Sequence, residues 1–174
     1  DAAVFEFAVK HNGGAAYISG GGSINGVGSL VITGPGSVLT NSGSMFIGLS
    51  SSSNSITVAD GGCLVCTVTA IGAGGGQIYT DNVVTVTGPG SVLTNTGSTG
   101  VNMGDTGTTV GSKLLIGNGG RVVNVGGGVA IGRSAIASNN SVVVSGNGSV
   151  LTNFSGVTVG APGSSNGLTV ADGG

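Results

Sequence analysis

The chain has 174 residues, 39 of them Gly, with 6% charged, 3% aromatic, no Trp and a formal net charge of −2. Its four basic residues, Lys10, Lys113, Arg121 and Arg133, cannot build the clustered positive field that nucleic acid or an anionic membrane surface requires, and no run of about 18 apolar residues exists to form a membrane-spanning helix. Gly recurs without a period of three, which excludes collagen, and 39% apolar residues rich in Val, Ile and Leu exclude a disordered linker.

Along the chain, residues 1–14 come first. Val4 to Val9 alternates and predicts a first strand or N-terminal cap, and Asp1 in place of Met suggests a processed or trimmed start. Ala16 and Ile18 before Gly22, with Ile24 after it, predict an abbreviated coil. From there a repeat takes over. The second Gly of successive corners stands at 36, 62, 90, 120, 148 and 174, spaced by 26, 28, 30, 28 and 26 residues. Six and four residues before these glycines stand Leu30 and Ile32, Ile56 and Val58, Val84 and Val86, Leu114 and Ile116, Val142 and Val144, Leu168 and Val170. Apolar residues two apart mark a strand with one buried face.

A second short apolar run follows each corner: Val38-Leu39, Leu64-Val65, Val92-Leu93, Val122-Val123 and Val150-Leu151. A third strand carries Met45 and Ile47, Thr69 and Ile71, Val101 and Met103, Val129 and Ile131, Val157 and Val159, each pair closed by a Gly. Three strands per repeat, none able to build its own core, must stack on their counterparts in the next repeat. The expected fold is therefore all-β: a right-handed parallel β-helix of three short strands per coil and about six coils over residues 15–174, with the last coil incomplete. Residues at equal offsets should form ladders in the interior. Corners of Gly34-Pro35-Gly36 type alternate with Asp60-Gly61-Gly62 type, which suggests duplication of a two-coil unit of about 54–58 residues. The last coil has no capping element, which fits either a fragment of a longer protein or completion by a neighbouring molecule.

Gly36-Ser-Val-Leu-Thr-Asn-Ser-Gly-Ser-Met-Phe-Ile-Gly48 and Leu168-Thr-Val-Ala-Asp-Gly-Gly174 resemble the repeats of bacterial autotransporter-type passenger domains, over roughly residues 15–174. The resemblance implies a secreted, pectin-lyase-like right-handed β-helix displayed on a cell surface, serving adhesion, aggregation or display. The chain departs from that pattern in having no C-terminal membrane barrel, no protease domain and no obvious receptor-binding tripeptide.

The expected function is a structural or adhesive extracellular β-helix, a segment or subunit of a stalk or fibre stacking end to end, without enzymatic activity, cofactor or metal. Expected partners are further copies of the chain, end to end and laterally, and a host or cell-surface glycan or protein. Nucleic acid and membrane insertion by this segment are not expected. The variable loops 49–55, 73–82, 105–112, 133–141 and 161–167 all follow the third strand and share one edge. Ser51, Asp81, Asp105, Arg133 and Pro162 are the expected partner-facing residues there.

A carbohydrate-binding or carbohydrate-cleaving β-helix is the alternative. Glycoside cleavage needs two nearby carboxylates, and Asp81 and Asp105, in loops of adjacent coils, are the pair able to approach. A saccharide groove would want aromatic or acidic walls, and Tyr17 and Tyr79 are the only tyrosines. Ice binding, a further reading, wants a flat Thr face, for which Thr57, Thr85 and Thr169 share one outward column. Cys63 and Cys66 read as small packing residues, because a redox C-x-x-C needs a helix N-terminus and zinc needs a second ligand pair. Asn41, Asn95 and Asn153 share an offset that Thr67 and Val125 interrupt, so separate corner bonds are expected of them. Of the two adjacent apolar offsets on the second strand, a bulge or corner is expected to bury both, the other outcome being an outward column such as Leu39, Val65, Leu93, Val123 and Leu151 that invites lateral association.

Overall fold

The structure, a computed structural model, describes residues 8–9, 15–18, 22–24, 26–74, 77–105 and 107–174. Residues 1–7 and 10–14, most of the segment expected as a strand or cap, lie outside the described residues, as do Gly75, Gly76 and Thr106.

The described chain is all-β and winds as a parallel β-helix. The first face carries Ala8–Val9, Ser29–Thr33, Ser55–Ala59, Val83–Thr87, Lys113–Gly117, Ser141–Ser145 and Gly167–Ala171, each paired in parallel with the next. The register runs Leu30, Ile56, Val84, Leu114, Val142, Leu168 in one column and Ile32, Val58, Val86, Ile116, Val144, Val170 in the other. The ten residues through Val144 are buried, each contributing about 1.5–3 kcal/mol by leaving water. Leu168 and Val170, expected in the core, keep the register but are 36% and 61% exposed, because no layer is stacked on the last coil in this structure.

The third face behaves alike. Met45, Thr69, Val101, Val129 and Val157 form one column, and Ile24, Ile47, Ile71, Met103, Ile131 and Val159 the other. All are buried from Met45 to Ile131, and Val157 and Val159 are again exposed on the last coil.

The second face corrects the equal-offset reading. Its inward column is Leu39, Leu64, Leu93, Val122 and Leu151, so Val65 and Val123 point outward beside Thr40, Thr94 and Thr152. The cause is the alternation of corners. Gly34-Pro35-Gly36-Ser37 closes with Ser37 N–H donating to Gly34 O at 3.2 Å and φ +79° at Gly36, the geometry of a type II turn with Pro second and Gly third. Ala59-Asp60-Gly61-Gly62 closes at 2.9 Å with positive φ at both Asp60 and Gly61, as in type I′. The first kind takes one residue more before the strand resumes, and a one-residue shift moves every side chain to the other face. The additional serines link the two kinds: Ser91 Oγ donates to Thr87 O and accepts from Gly61 N, and Ser149 Oγ donates to Ser145 O and accepts from Gly119 N. Neither second-strand outcome expected from sequence holds as stated: neither bulge nor corner buries both offsets, and the outward columns, Thr40, Val65, Thr94, Val123 and Thr152 in one and Val38, Cys63, Val92, Arg121 and Val150 in the other, form no aliphatic stripe.

The expected loops also contain structure. Ile78–Thr80 pairs in parallel with Thr108–Val110, and isolated bridges continue from Val110 to Ser138 and Ser164. This short fourth stack sits just before the first face.

Candidate functional site

Two internal ladders of polar side chains mark the corners, and one was missed by sequence reasoning. Asn54, Asn82, Ser112, Asn140 and Asn166 occupy one position, two residues before the first inward residue of the first face. Gly28 N donates to Asn54 Oδ1 at 2.9 Å, Asn54 N to Asn82 Oδ1 at 3.1 Å, Ser112 N to Asn140 Oδ1 at 3.0 Å and Asn140 N to Asn166 Oδ1 at 3.0 Å. The carboxamides also bond to one another: Asn54 Nδ2 donates to Asn82 Oδ1 at 2.9 Å and Asn140 Nδ2 to Asn166 Oδ1 at 3.0 Å. Ser112 breaks the series. Its hydroxyl accepts from Asn82 N at 3.3 Å but is too short to meet Asn82 Nδ2, which is buried without a partner. The residue before each rung has positive φ: Ser53, Asp81, Gly111, Asn139 and Ser165. A left-handed residue turns the chain so that the next side chain points inward, and Asn, Asp and Gly adopt it most readily.

The second ladder is the expected Asn set in corrected register. Cys66, Asn95, Asn124 and Asn153 align. Asn95 Nδ2 donates to Asn124 Oδ1 at 2.8 Å and Asn124 Nδ2 to Asn153 Oδ1 at 2.6 Å, so these three stack directly. Asn41 makes a local corner instead, accepting from Gly43 N and donating to Ser44 O. Asn95 Oδ1 accepts from Thr69 Oγ1 at 2.7 Å and Cys66 Sγ at 3.2 Å, so Cys66 fills a rung.

Both cysteines are free, Cys66 inward and Cys63 on the outer side. Burial pushes the Cys66 thiol up to about 11, a hydrogen bond with Thr69 opposing it, and burial also raises Cys63. An unfolded thiol ionises first, near 9.0, so Cys66 favours the fold throughout neutral pH and that contribution is lost as pH rises from about 9 to about 11. We expect urea midpoints to fall across this window by the equivalent of about 2–3 kcal/mol. Cys66→Ser, which keeps a hydroxyl beside Asn95, should flatten that part of the profile.

The five expected partner-facing residues divide. Asp105 and Arg133 come together in an ion pair at 3.3 Å. Asp81 is exposed at its left-handed corner, its Oδ1 lying over Gly111 of the next coil, and Pro162 is exposed. Ser51 is structural: its Oγ accepts from Gly26 N at 2.7 Å and from Asn54 Nδ2 at 2.9 Å. Asp105 is thus engaged by Arg133. On the first face Val31, Thr57, Thr85, Leu115, Val143 and Thr169 share the central outer column. Leu115 and Val143 interrupt the Thr set that ice binding calls for.

An open groove of about 460 Å³ crosses the outer side of the third face. Its floor includes Gly128 and Ala130, and its walls carry Asn102, Arg133 and four hydroxyl residues. Among the described residues no three His, Cys, Asp or Glu side chains gather into a metal-binding group, and no helix is long and apolar enough to cross a membrane. No protein-family model, curated protein or solved structure matches this chain.

Proposed function

We propose that the chain is a structural and adhesive rod segment acting outside the cell, of the kind its autotransporter-like repeats suggest, and that it lengthens by axial stacking. The observation carrying this reading is the continuous stack of coils, in which apolar columns and polar corner ladders run from coil to coil in one register. Leu168, Val170, Val157 and Val159 hold the register of the buried columns above them yet stand in solvent. A further layer of the same repeat, from continued chain or a second copy, would cover them, pairing its backbone with that of Gly167–Ala171 at the spacing of about 4.8 Å between strands. Polar ladders that already run from coil to coil favour stacking in one register over lateral slippage.

Sedimentation velocity over a concentration series tests this. The expected result is growth into elongated oligomers as concentration rises, suppressed by Val170→Lys, which puts a charge on the stacking surface. A compact monomer at every concentration, unchanged by Val170→Lys, would contradict axial assembly.

A further inference from the structure

The groove on the third face has features that the rod itself does not require. Asn102 lies between Val101 and Met103, whose side chains fill the core, so alternation turns its carboxamide outward into the groove. It is only 6% exposed. Yet, unlike the ladder asparagines, its side chain makes no hydrogen bond within the described chain. Its carboxamide offers two donors and one acceptor. Its polar atoms open onto the groove rather than being sealed from it, so a ligand there meets donors and an acceptor that no protein group already uses.

The surroundings narrow the ligand. Gly126, Gly127 and Gly128 follow one another in a single coil, where the coil before has Ser98 and Thr99 and the coil after has Ser155. Side chains are missing from the middle and hydroxyls stand on both sides. A Cβ at Gly128 would lie 2.0 Å from Gly156 O, so this floor cannot be filled without moving the backbone. Thr158 adds a hydroxyl on the outer column of Asn102. Arg133 lines the groove with its charge balanced by Asp105. The site therefore offers many hydrogen-bond donors and acceptors around almost no net charge, which matches a neutral polyhydroxylated ligand and not an anion.

We propose that this groove binds a neutral saccharide unit of a glycan chain, with Asn102 and Arg133 bonding to ring hydroxyls. The groove lies on the outer side of the helix, so its occupancy does not depend on axial stacking, and either reading can fail while the other stands.

The test is titration of the full chain with neutral cello-, xylo-, manno- and galacto-oligosaccharides of four to six units and, separately, with oligogalacturonate, followed by two-dimensional NMR of the Asn side-chain NH₂ and Arg Nε–H signals. The expected result is saturable shifts of the Asn102 and Arg133 signals with at least one neutral oligosaccharide. Asn102→Ala should weaken binding at least about tenfold, the equivalent of about 1.4 kcal/mol. Thr158→Val, nearly isosteric and on an exposed position, should weaken it less, while Thr57→Ala on the first face leaves it unchanged. Far-UV circular dichroism and thermal melting of each variant guard against misfolding. No shift with any neutral oligosaccharide, shifts unaffected by both groove variants, or stronger binding of oligogalacturonate would each overturn the proposal.

Discussion

Replacing Asn140 by Ala is expected to destabilise the fold by about 2–4 kcal/mol, since the buried Ser112 N–H loses its partner at about 1–3 kcal/mol, the carboxamide's other hydrogen bonds go with it and a cavity remains. The groups are specific. Asn140 Oδ1 accepts from Ser112 N at 3.0 Å, and its Nδ2 donates to Thr109 O at 2.9 Å and Asn166 Oδ1 at 3.0 Å. These link three successive coils at a corner; Thr109 O also accepts from Ser138 N at 2.9 Å, so Ser112 N is the backbone group that depends on the carboxamide. For a chain of this size the loss corresponds to a drop in melting temperature of about 10 °C. Asn102→Ala, a like truncation at a position 6% exposed on the groove with no internal bond, should leave the midpoint nearly unchanged. A drop for Asn140→Ala equivalent to less than about 1 kcal/mol would mean that the corner carbonyls and amides find other partners and that the ladder is not what holds the coils in register.

The break at Ser112 allows the opposite experiment. In two coils the rung asparagine packs on the Gly that closes the third strand: a Cβ on Gly48 would lie 2.2 Å from Asn82 Oδ1, and one on Gly132 would lie 2.0 Å from Asn166 Nδ2. At Gly72 the equivalent space holds the Thr109 side chain instead, 2.3 Å from such a Cβ, with the Thr109 hydroxyl donating to Gly72 O. Ser112→Asn alone therefore meets Thr109, and overpacking of this kind costs about 1–3 kcal/mol. Thr109→Ala alone loses a methyl and a hydrogen bond, for a destabilisation of about 1–2 kcal/mol. Together the two changes give the new carboxamide its space, supply a partner for Asn82 Nδ2 and make the ladder continuous. Urea denaturation of the four proteins should show a favourable coupling of about 2–3 kcal/mol between the sites, with the double variant at least as stable as the parent. Additive effects would show that Asn82 Nδ2 is already satisfied and that Thr109 does not occupy the rung.

The first and third faces were legible because two independent signals agreed there: alternation at period two, and equal offsets from a glycine corner. Leu30, Ile56, Val84, Leu114 and Val142 needed nothing else. The second face misled because its offsets were counted across corners of unequal length. Ser37, Ser91 and Ser149 add a residue that Asp60-Gly61-Gly62 and Asn118-Gly119-Gly120 lack, so Val65 was matched to Leu39 when Leu64 is its true neighbour. The same slip hid Asn124 behind Val125 and Cys66 behind Thr67. The ladder through Asn54, Asn82, Ser112, Asn140 and Asn166 has an invariant spacing from the following corner and was available in the sequence. It went unread because these residues fall in segments whose length varies, where stacking of Tyr79, Thr109 and Ala137 was not anticipated. The groove around Asn102 had no linear signal. It arises from three glycines in one coil lying between hydroxyl residues of two others, a relation that exists only once coils are stacked.

Methyl–methyl nuclear Overhauser contacts in a selectively labelled sample test the stacking itself. The account predicts that Val58 contacts Val86, Val86 contacts Ile116 and Ile116 contacts Val144, each only with the rung before and after. Contacts that skip rungs, or Hα–Hα contacts of antiparallel strands between these residues, would contradict it.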